Sequence, residues 1–274
     1  MTAQAAAAIQ CGSCSSGCNT AHLTKLGIKT GSWDYIVALA GNPNTGKSTI
    51  FNALTGLHQH VGNWAGKTVT RAEGAFTLGG KKFKLVDLPG TYSLLSTSVD
   101  EEIARDFVLF GKPDVTVVVV DATRLERNLN LVLQILEITD HAVIALNLID
   151  EARRNNLTMN ERILMRDLGV PVVPMTARRG EGVDELLSAI EQVASREFSA
   201  RPHRIKYADS NLETAIEKLA TQLRSEFDGL RNARWVALRL LEGDESIIDT
   251  VRKGTLGAVK STNHFPPLVQ VEAG

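Results

Sequence analysis

The sequence predicts an α/β domain with a mostly parallel sheet, followed by a small all-α helical domain. Three observations carry this expectation. Short apolar runs alternate with helix-length segments between residues 35 and 194, strand signals stop past Arg201-Pro202, and apolar residues then recur at helical spacing. The 274 residues exceed one typical domain of about 100–150 residues. They divide into a cysteine-containing extension at 1–32, the α/β domain at 33–200 and the helical domain at 201–274.

Residues 1–32 are rich in Ala, Ser, Gly and Cys and hold no sustained period, so they lie outside the core. Tyr35-Ile36-Val37-Ala38-Leu39-Ala40 is a strand-like run ending in a glycine-rich turn, and 49–54 opens a helix. Residues 69–78 and 81–86 flank Gly79-Gly80, the pattern of a tight hairpin that contributes one antiparallel strand and delivers Asp87. Strands at 115–120, 142–146 and 170–174 then alternate with helices at 125–138, 159–168 and 183–194. In such a sheet the functional loops collect beyond the carboxyl ends of the strands. In the tail, Leu212, Ile216, Leu219 and Leu223 mark one amphipathic helix, and Trp235, Leu238 and Leu241 a second.

Composition narrows the function classes. A net charge of −1 with interspersed signs lacks the basic excess of a nucleic-acid binder, so no nucleic-acid partner is expected. No run approaches the ~20 apolar residues of a membrane span, and the N-terminal alanines lack the features of a secretory signal, which points to a cytoplasmic location. All three cysteines fall at Cys11, Cys14 and Cys18, excluding a disulfide framework. Their spacing can bring three thiolates to one soft metal, iron ion or Fe-S cluster, with His22 the nearest additional ligand. The alternative is a flexible extension with reduced thiols.

Four motifs carry the chemistry. Gly41-Asn42-Pro43-Asn44-Thr45-Gly46-Lys47-Ser48, with Thr49 following, fits G-x4-G-K-S between a strand and a helix. Its amides can cradle phosphate, Lys47 can neutralise phosphate charge and Ser48 can coordinate Mg2+. Asp87-Leu88-Pro89-Gly90 then supplies an acid for the Mg2+ and a glycine whose amide can approach a γ-phosphate. Asn147-Leu148-Ile149-Asp150 closes a strand as N-x-x-D. The Asp150 carboxylate can accept from guanine N1–H and its 2-amino group, donors that adenine does not present in that arrangement. Leu148 stands where lysine is common, which predicts weaker affinity without loss of specificity. Finally, Thr176-Ala177-Arg178 can turn a backbone amide toward guanine O6. Together these predict a P-loop GTPase domain.

With Val61-Gly62-Asn63-Trp64-Ala65-Gly66-Lys67-Thr68-Val69 between the first two motifs, the chain resembles the cytoplasmic G domain of the ferrous-iron transporter B family. The segment 234–245 resembles that family's helical domain. The resemblance implies that Gly62 to Thr68 form the first switch and that Thr68 joins Ser48 and Asp87 at Mg2+. It implies a K+ ion held by Asn44 and the carbonyls of Gly62 and Trp64, which with Lys47 would make Asn44 catalytic. Thr91 occupies the position where small GTPases place a water-orienting glutamine, so unassisted hydrolysis is expected to be slow. His58 and His60 flank the switch and are read as solvated, as are Glu213, Glu217 and Lys218 on the tail helix.

The expected protein is the GTP-binding regulatory part of a bacterial Fe(II) transporter, at the cytoplasmic face of the inner membrane. Its expected partners are GTP, GDP and a membrane-embedded portion, with homo-oligomerisation left open. Two other readings stand beside it: a free-standing GTPase of ribosome or tRNA biology, and a metal or redox sensor acting through the cysteines. The mixed charge of 203–274 argues against a ribosome-binding tail.

Overall fold

A computed structural model describes residues 33–56, 59–95, 98–198, 200–204, 207–228, 230, 232–254, 256 and 258–259. The cysteines, His22 and His58 lie outside the described residues. The chain forms two compact units, one built from 33–136 and 140–203, the other from 137–139 and the segment from 204 onward.

In the first unit β1 (Tyr35–Gly41), α1 (Lys47–Thr55), β2 (Gln59–Asn63), β3 (Thr70–Leu78) and β4 (Lys81–Asp87) come first. They are followed by α2 (Val99–Asp106), which runs into a π-helical turn (Phe107–Gly111), β5 (Val115–Asp121) and α3 (Leu125–Ile138). β6 (Ala142–Asn147), α4 (Ile149–Arg154), α5 (Glu161–Leu168), β7 (Val172–Pro174) and α6 (Val183–Ala194) complete it. The sheet order is β2-β3-β4-β1-β5-β6-β7. β4, β1, β5, β6 and β7 are mutually parallel, while β3 runs against both of its neighbours. From β1 the chain builds one side of the sheet and then crosses to β5. The carboxyl end of β1 is therefore the point where strand order reverses and a ligand crevice opens.

The core follows from alternation on the strands. Val37 and Leu39 of β1, Val115, Val117 and Val119 of β5, and Val143 and Ala145 of β6 share one face, packed with Ile50 and Phe51 of α1 and Leu186 and Ile190 of α6. Val118 and Val120 on the opposite face are equally buried, as expected of a parallel sheet covered on both sides.

Three elements differ from the sequence expectation. β2 adds an edge strand where the sequence shows only a glycine-interrupted loop; its pairing with β3 is long-range and leaves no local period. α2 was not anticipated; it is capped by Ser98, whose hydroxyl accepts from Glu101 N–H at 3.2 Å, with Asp100, Glu101 and Glu102 in the first turn. The S-x-x-E spacing and the acidic turn were the available signal. Thirdly, β6 ends at Asn147, so Ile149 and Asp150 belong to α4 rather than closing the strand; Leu148, at φ +63°, turns the chain.

The second unit contains α7 (Ser210–Glu226), β8 (Phe227–Asp228), α8 (Ala233–Leu241), α9 (Glu245–Arg252) and β9 (Ala258–Val259), with β8 and β9 antiparallel. Ile216, Ala220 and Leu223 of α7 are buried, as are Trp235 and Leu238 of α8, whereas Leu241 is exposed. Glu213 is not simply a solvated charge: Arg234 grips it with two N–H donors at 2.9 and 3.0 Å and joins α7 to α8. Such a forked pair restricts geometry more than a lysine contact does.

Leu85 on β4 is fully buried in the first unit's core. Leu85→Ala should lower unfolding stability by about 2–5 kcal/mol, read by urea denaturation followed by circular dichroism.

Candidate functional site

The carboxyl ends of β1, β4 and β6 present the motifs at one edge of the sheet. Leu39 pairs with Asp87, Gly41 with Val119, and Asp121 with Asn147, so these ends are in register. β1 feeds the loop 42–46, and α1 begins at Lys47. The loop folds on itself through Thr45 Oγ1, which donates to Asn42 O at 2.9 Å. Asn44 is exposed and adopts φ +65°, a conformation asparagine tolerates better than most residues. Ser48 and Thr49, in the first turn of α1, are also exposed, beside the amides that a helix start leaves open to an anion.

Lys47 Nζ and Asp87 Oδ1 meet at 2.5 Å. Burial pushes the Asp87 carboxyl above its ordinary value, and the adjacent Lys47 ammonium opposes that shift. The residues assigned to phosphate and to Mg2+ are thus held at one place with opposite charge. They can separate toward a phosphate and a cation without first being desolvated. Ser48 and Asp87 supply the hard oxygen donors that Mg2+ requires.

Beyond Asp87 the chain follows β1 into the phosphate loop: Leu88 N–H donates to Leu39 O at 2.9 Å and Thr91 N–H to Gly41 O at 3.3 Å. Gly90 rests against Pro43, where an added Cβ would stand 3.4 Å from the ring. Thr91 is buried, a poor location for a residue that would orient water.

On the opposite side of the loop, Asn147 Nδ2 donates to Thr45 O and Asn147 Oδ1 accepts from Ala177 N–H, each at 3.0 Å and buried. The Asn147 amide occupies the space that any Gly46 side chain would need, and Gly46 sits at φ +86°. Asn147 therefore braces the phosphate loop against the 176–180 turn. Asp150 lies in the first turn of α4, with Arg154 and Arg179 nitrogens 3.4 and 3.7 Å from Oδ2. Arg179 was missed by sequence reasoning because nothing local points it at a carboxylate two elements away. Thr176 N–H is committed to Glu181 O at 3.0 Å.

The segment 62–68 forms part of a hairpin at the sheet edge. Asn63 pairs with Thr70, two residues beyond the Ala72–Asp87 pair, so the connection projects past the same end of the sheet as the phosphate loop. Trp64 is buried at 3% exposure, meets Phe107 edge-on at 5.6 Å and lies under the Arg71 guanidinium at 5.4 Å. Arg71 pairs with Glu73 at 2.7 Å, and Glu73 with Lys84 at 2.6 Å. Trp64 O accepts from Lys67 N–H at 3.0 Å, and Lys67 Nζ reaches Glu102 at 2.9 Å. Ala65, Gly66 and Thr68 are exposed, as is His60.

The expected K+ ligands come from two separate elements. Gly62 lies on β2, three strands and about 14 Å from β1, while Asn44 lies in the loop that β1 feeds. The segment also has no described contact that brings Thr68 to Ser48 or Asp87. Among the described residues, no group of His, Cys, Asp and Glu is arranged to hold a metal.

Sequence reasoning also missed the hold of α3 on the segment after Gly90. Gln134 Oε1 accepts from Leu94 N–H at 2.6 Å, and Arg127 lies over the Tyr92 ring at 4.2 Å. The i, i+7 spacing of two ordinary surface residues carries no signal for such a role.

A phosphate loop at the reversal point of the sheet, braced through one asparagine to a base-side turn, places the protein among the P-loop GTPase-like folds. The chain belongs to the ferrous iron transport protein B family, whose model matches residues 35–190; the FeoB cytosolic helical domain matches residues 209–264. The Fe(2+) transporter FeoB of Escherichia coli (strain K12) is 44% identical over 212 residues, covering 76% of this chain and 27% of that protein. The chain thus spans about a quarter of the length of the curated relatives it matches. The cytosolic domain of T. maritima FeoB in its GMPPNP form is similar, at 40% identity and a TM-score of 0.73 over 84% of this chain and 88% of that one. The cytosolic domain of L. pneumophila FeoB is similar at 36% identity and a TM-score of 0.71 over 79% and 84%. The helical match to FeoB leaves the ribosomal or tRNA reading unsupported. No described helix is long and apolar enough to cross a membrane.

Asn147→Ala would orphan Thr45 O and Ala177 N–H. Its expected effects are a loss of about 2 kcal/mol of stability in thermal or urea unfolding, and at least tenfold weaker GDP binding by calorimetry.

Proposed function

We propose that residues 33–200 bind GTP and GDP with Mg2+ and hydrolyse GTP slowly, as the regulatory part of a bacterial ferrous-iron transporter at the cytoplasmic face of the inner membrane. The pairing of Lys47 with Asp87 beside the start of α1 is the observation that carries this reading. The GDP and GMPPNP forms of the T. maritima relative support both nucleotides as ligands.

Lys47 would turn from Asp87 to β/γ-phosphate oxygens, while the backbone amides of 44–49 hold the remaining oxygens. Ser48, Asp87 and, after movement of its segment, Thr68 would hold Mg2+, which supplies charge neutralisation between the phosphates. Asp150 would accept from the guanine edge. With the Thr176 and Ala177 amides already engaged, the Arg178 amide is left to meet O6. Gly90 and Thr68 would sense the γ-phosphate, and the helical domain would convey their state to the membrane-embedded portion. Iron need not touch the G domain.

Slow hydrolysis follows from Thr91, which is short, buried and turned back onto Gly41. Asn44, exposed at the phosphate loop, would hold K+ together with the carbonyls of Gly62 and Trp64 once the hairpin releases them. The Trp64 carbonyl must give up its bond from Lys67 N–H. The cation would add positive charge near the developing negative charge of the transition state.

GTPase rates in matched K+ and Na+ buffers test this mechanism. The parent should be at least about tenfold faster in K+, and Asn44→Ala should abolish the difference. Equal parental rates would refute cation assistance. Base recognition is tested separately with ITP, which lacks the 2-amino group. The parent should prefer GTP over ITP by about tenfold or more in competition binding, and Asp150→Ala should bring the two close together.

A further inference from the structure

Asn42 sits in the phosphate loop at 3% exposure, yet neither its Oδ1 nor its Nδ2 has a hydrogen-bond partner. Its backbone carbonyl is engaged by Thr45 Oγ1, so the unmet capacity belongs to the side chain. A buried amide missing both donor and acceptor contacts is rare, because desolvation is then uncompensated on each side. Asn44, two residues later in the same loop, is by contrast exposed.

The residues on either side of Asn42 both touch the segment after Asp87. Gly41 O accepts from Thr91 N–H at 3.3 Å, just beyond the usual range, and Pro43 lies against Gly90. Pro43 has no N–H to offer that neighbour. Asn42 is therefore the phosphate-loop residue between these two contacts that retains both an unused donor and an unused acceptor. Gly90 and Thr91 each present a carbonyl, and Gly90 an amide, within the same short stretch of chain.

We propose that Asn42 is a positioning residue whose side-chain amide bonds the Gly90–Thr91 backbone when that segment closes on the γ-phosphate. The inference rests on the GTP-binding reading above. It assigns to the Asn42 side chain a preference for the triphosphate state, exerted through Gly90 rather than by its own contact with the nucleotide. The unmet amide disfavours the open arrangement, and closure satisfies it, so the residue tilts a two-state segment toward closure only when a γ-phosphate gives Gly90 something to approach.

The test uses the full chain with Mg2+, comparing GMPPNP and GDP affinities of the parent, Asn42→Leu and Asn42→Ala by calorimetry, together with melting without nucleotide. Leucine keeps the side-chain volume while removing both polar atoms. In both variants the ratio of GMPPNP to GDP affinity should fall about tenfold, the loss of one or two hydrogen bonds made only in the closed state. The nucleotide-free Asn42→Leu protein should melt at or above the parental temperature. Equal weakening of both nucleotides, or a lower nucleotide-free melting temperature for Asn42→Leu, would overturn the assignment while leaving GTP binding intact. A parent that binds neither nucleotide would overturn the GTP-binding reading and this inference with it.

Discussion

Asn147 bonds Thr45 O with one end of its amide and Ala177 N–H with the other, both in buried surroundings. It ties the end of β6 to both loops, adding a direct link to the spacing that the paired strands set. In the proposed function a nucleotide would bridge those loops, with its phosphates on one and its base on the other, which would make their spacing a binding determinant. Low local polarity strengthens each bond and makes loss of either expensive. Other choices follow from this placement. Gly46 has no room for a side chain, and the turn at Leu148 sets Asp150 in the first turn of α4, facing Arg154 and Arg179.

The phosphate side is organised by charge, the switch side by burial. Lys47 and Asp87 hold opposite charges together where their expected ligands would separate them. The segment 62–68, proposed as the first switch, is held differently. Trp64 gives up solvent for Phe107 and Arg71, and the segment completes a sheet edge through β2. Its indole N–H is buried without a partner, as is the Asn42 amide. Those two orphaned groups flank the parts expected to respond to a γ-phosphate. Polar groups left unmet in one packing favour exchange with another, the physical basis of a two-arrangement element.

The helical module follows a simpler logic. Ile216, Ala220 and Leu223 form a narrow stripe on α7, and Trp235 and Leu238 a complementary one on α8, while the Arg234–Glu213 fork adds a directional contact that apolar packing lacks. The spacing of the apolar residues was readable from the chain. The fork was not, since arginines and glutamates are ordinary on helix surfaces.

Local chemistry made much of the protein legible. The apolar runs of β1, β5 and β6 declare buried parallel strands, Gly79-Gly80 declares the hairpin, and G-x4-G-K-S has few uses other than phosphate binding. Because these properties reside in neighbouring residues, the sequence by itself determined the fold class, the helical tail and the phosphate and base motifs. Tertiary structure decided what those residues touch. It turned Asn147 into a brace, put Arg179 beside Asp150, paired β2 with β3, buried Trp64 and left the Asn42 side-chain amide without a partner. Each of these depends on contacts between segments far apart in the chain, whose geometry no local periodicity or motif spacing encodes.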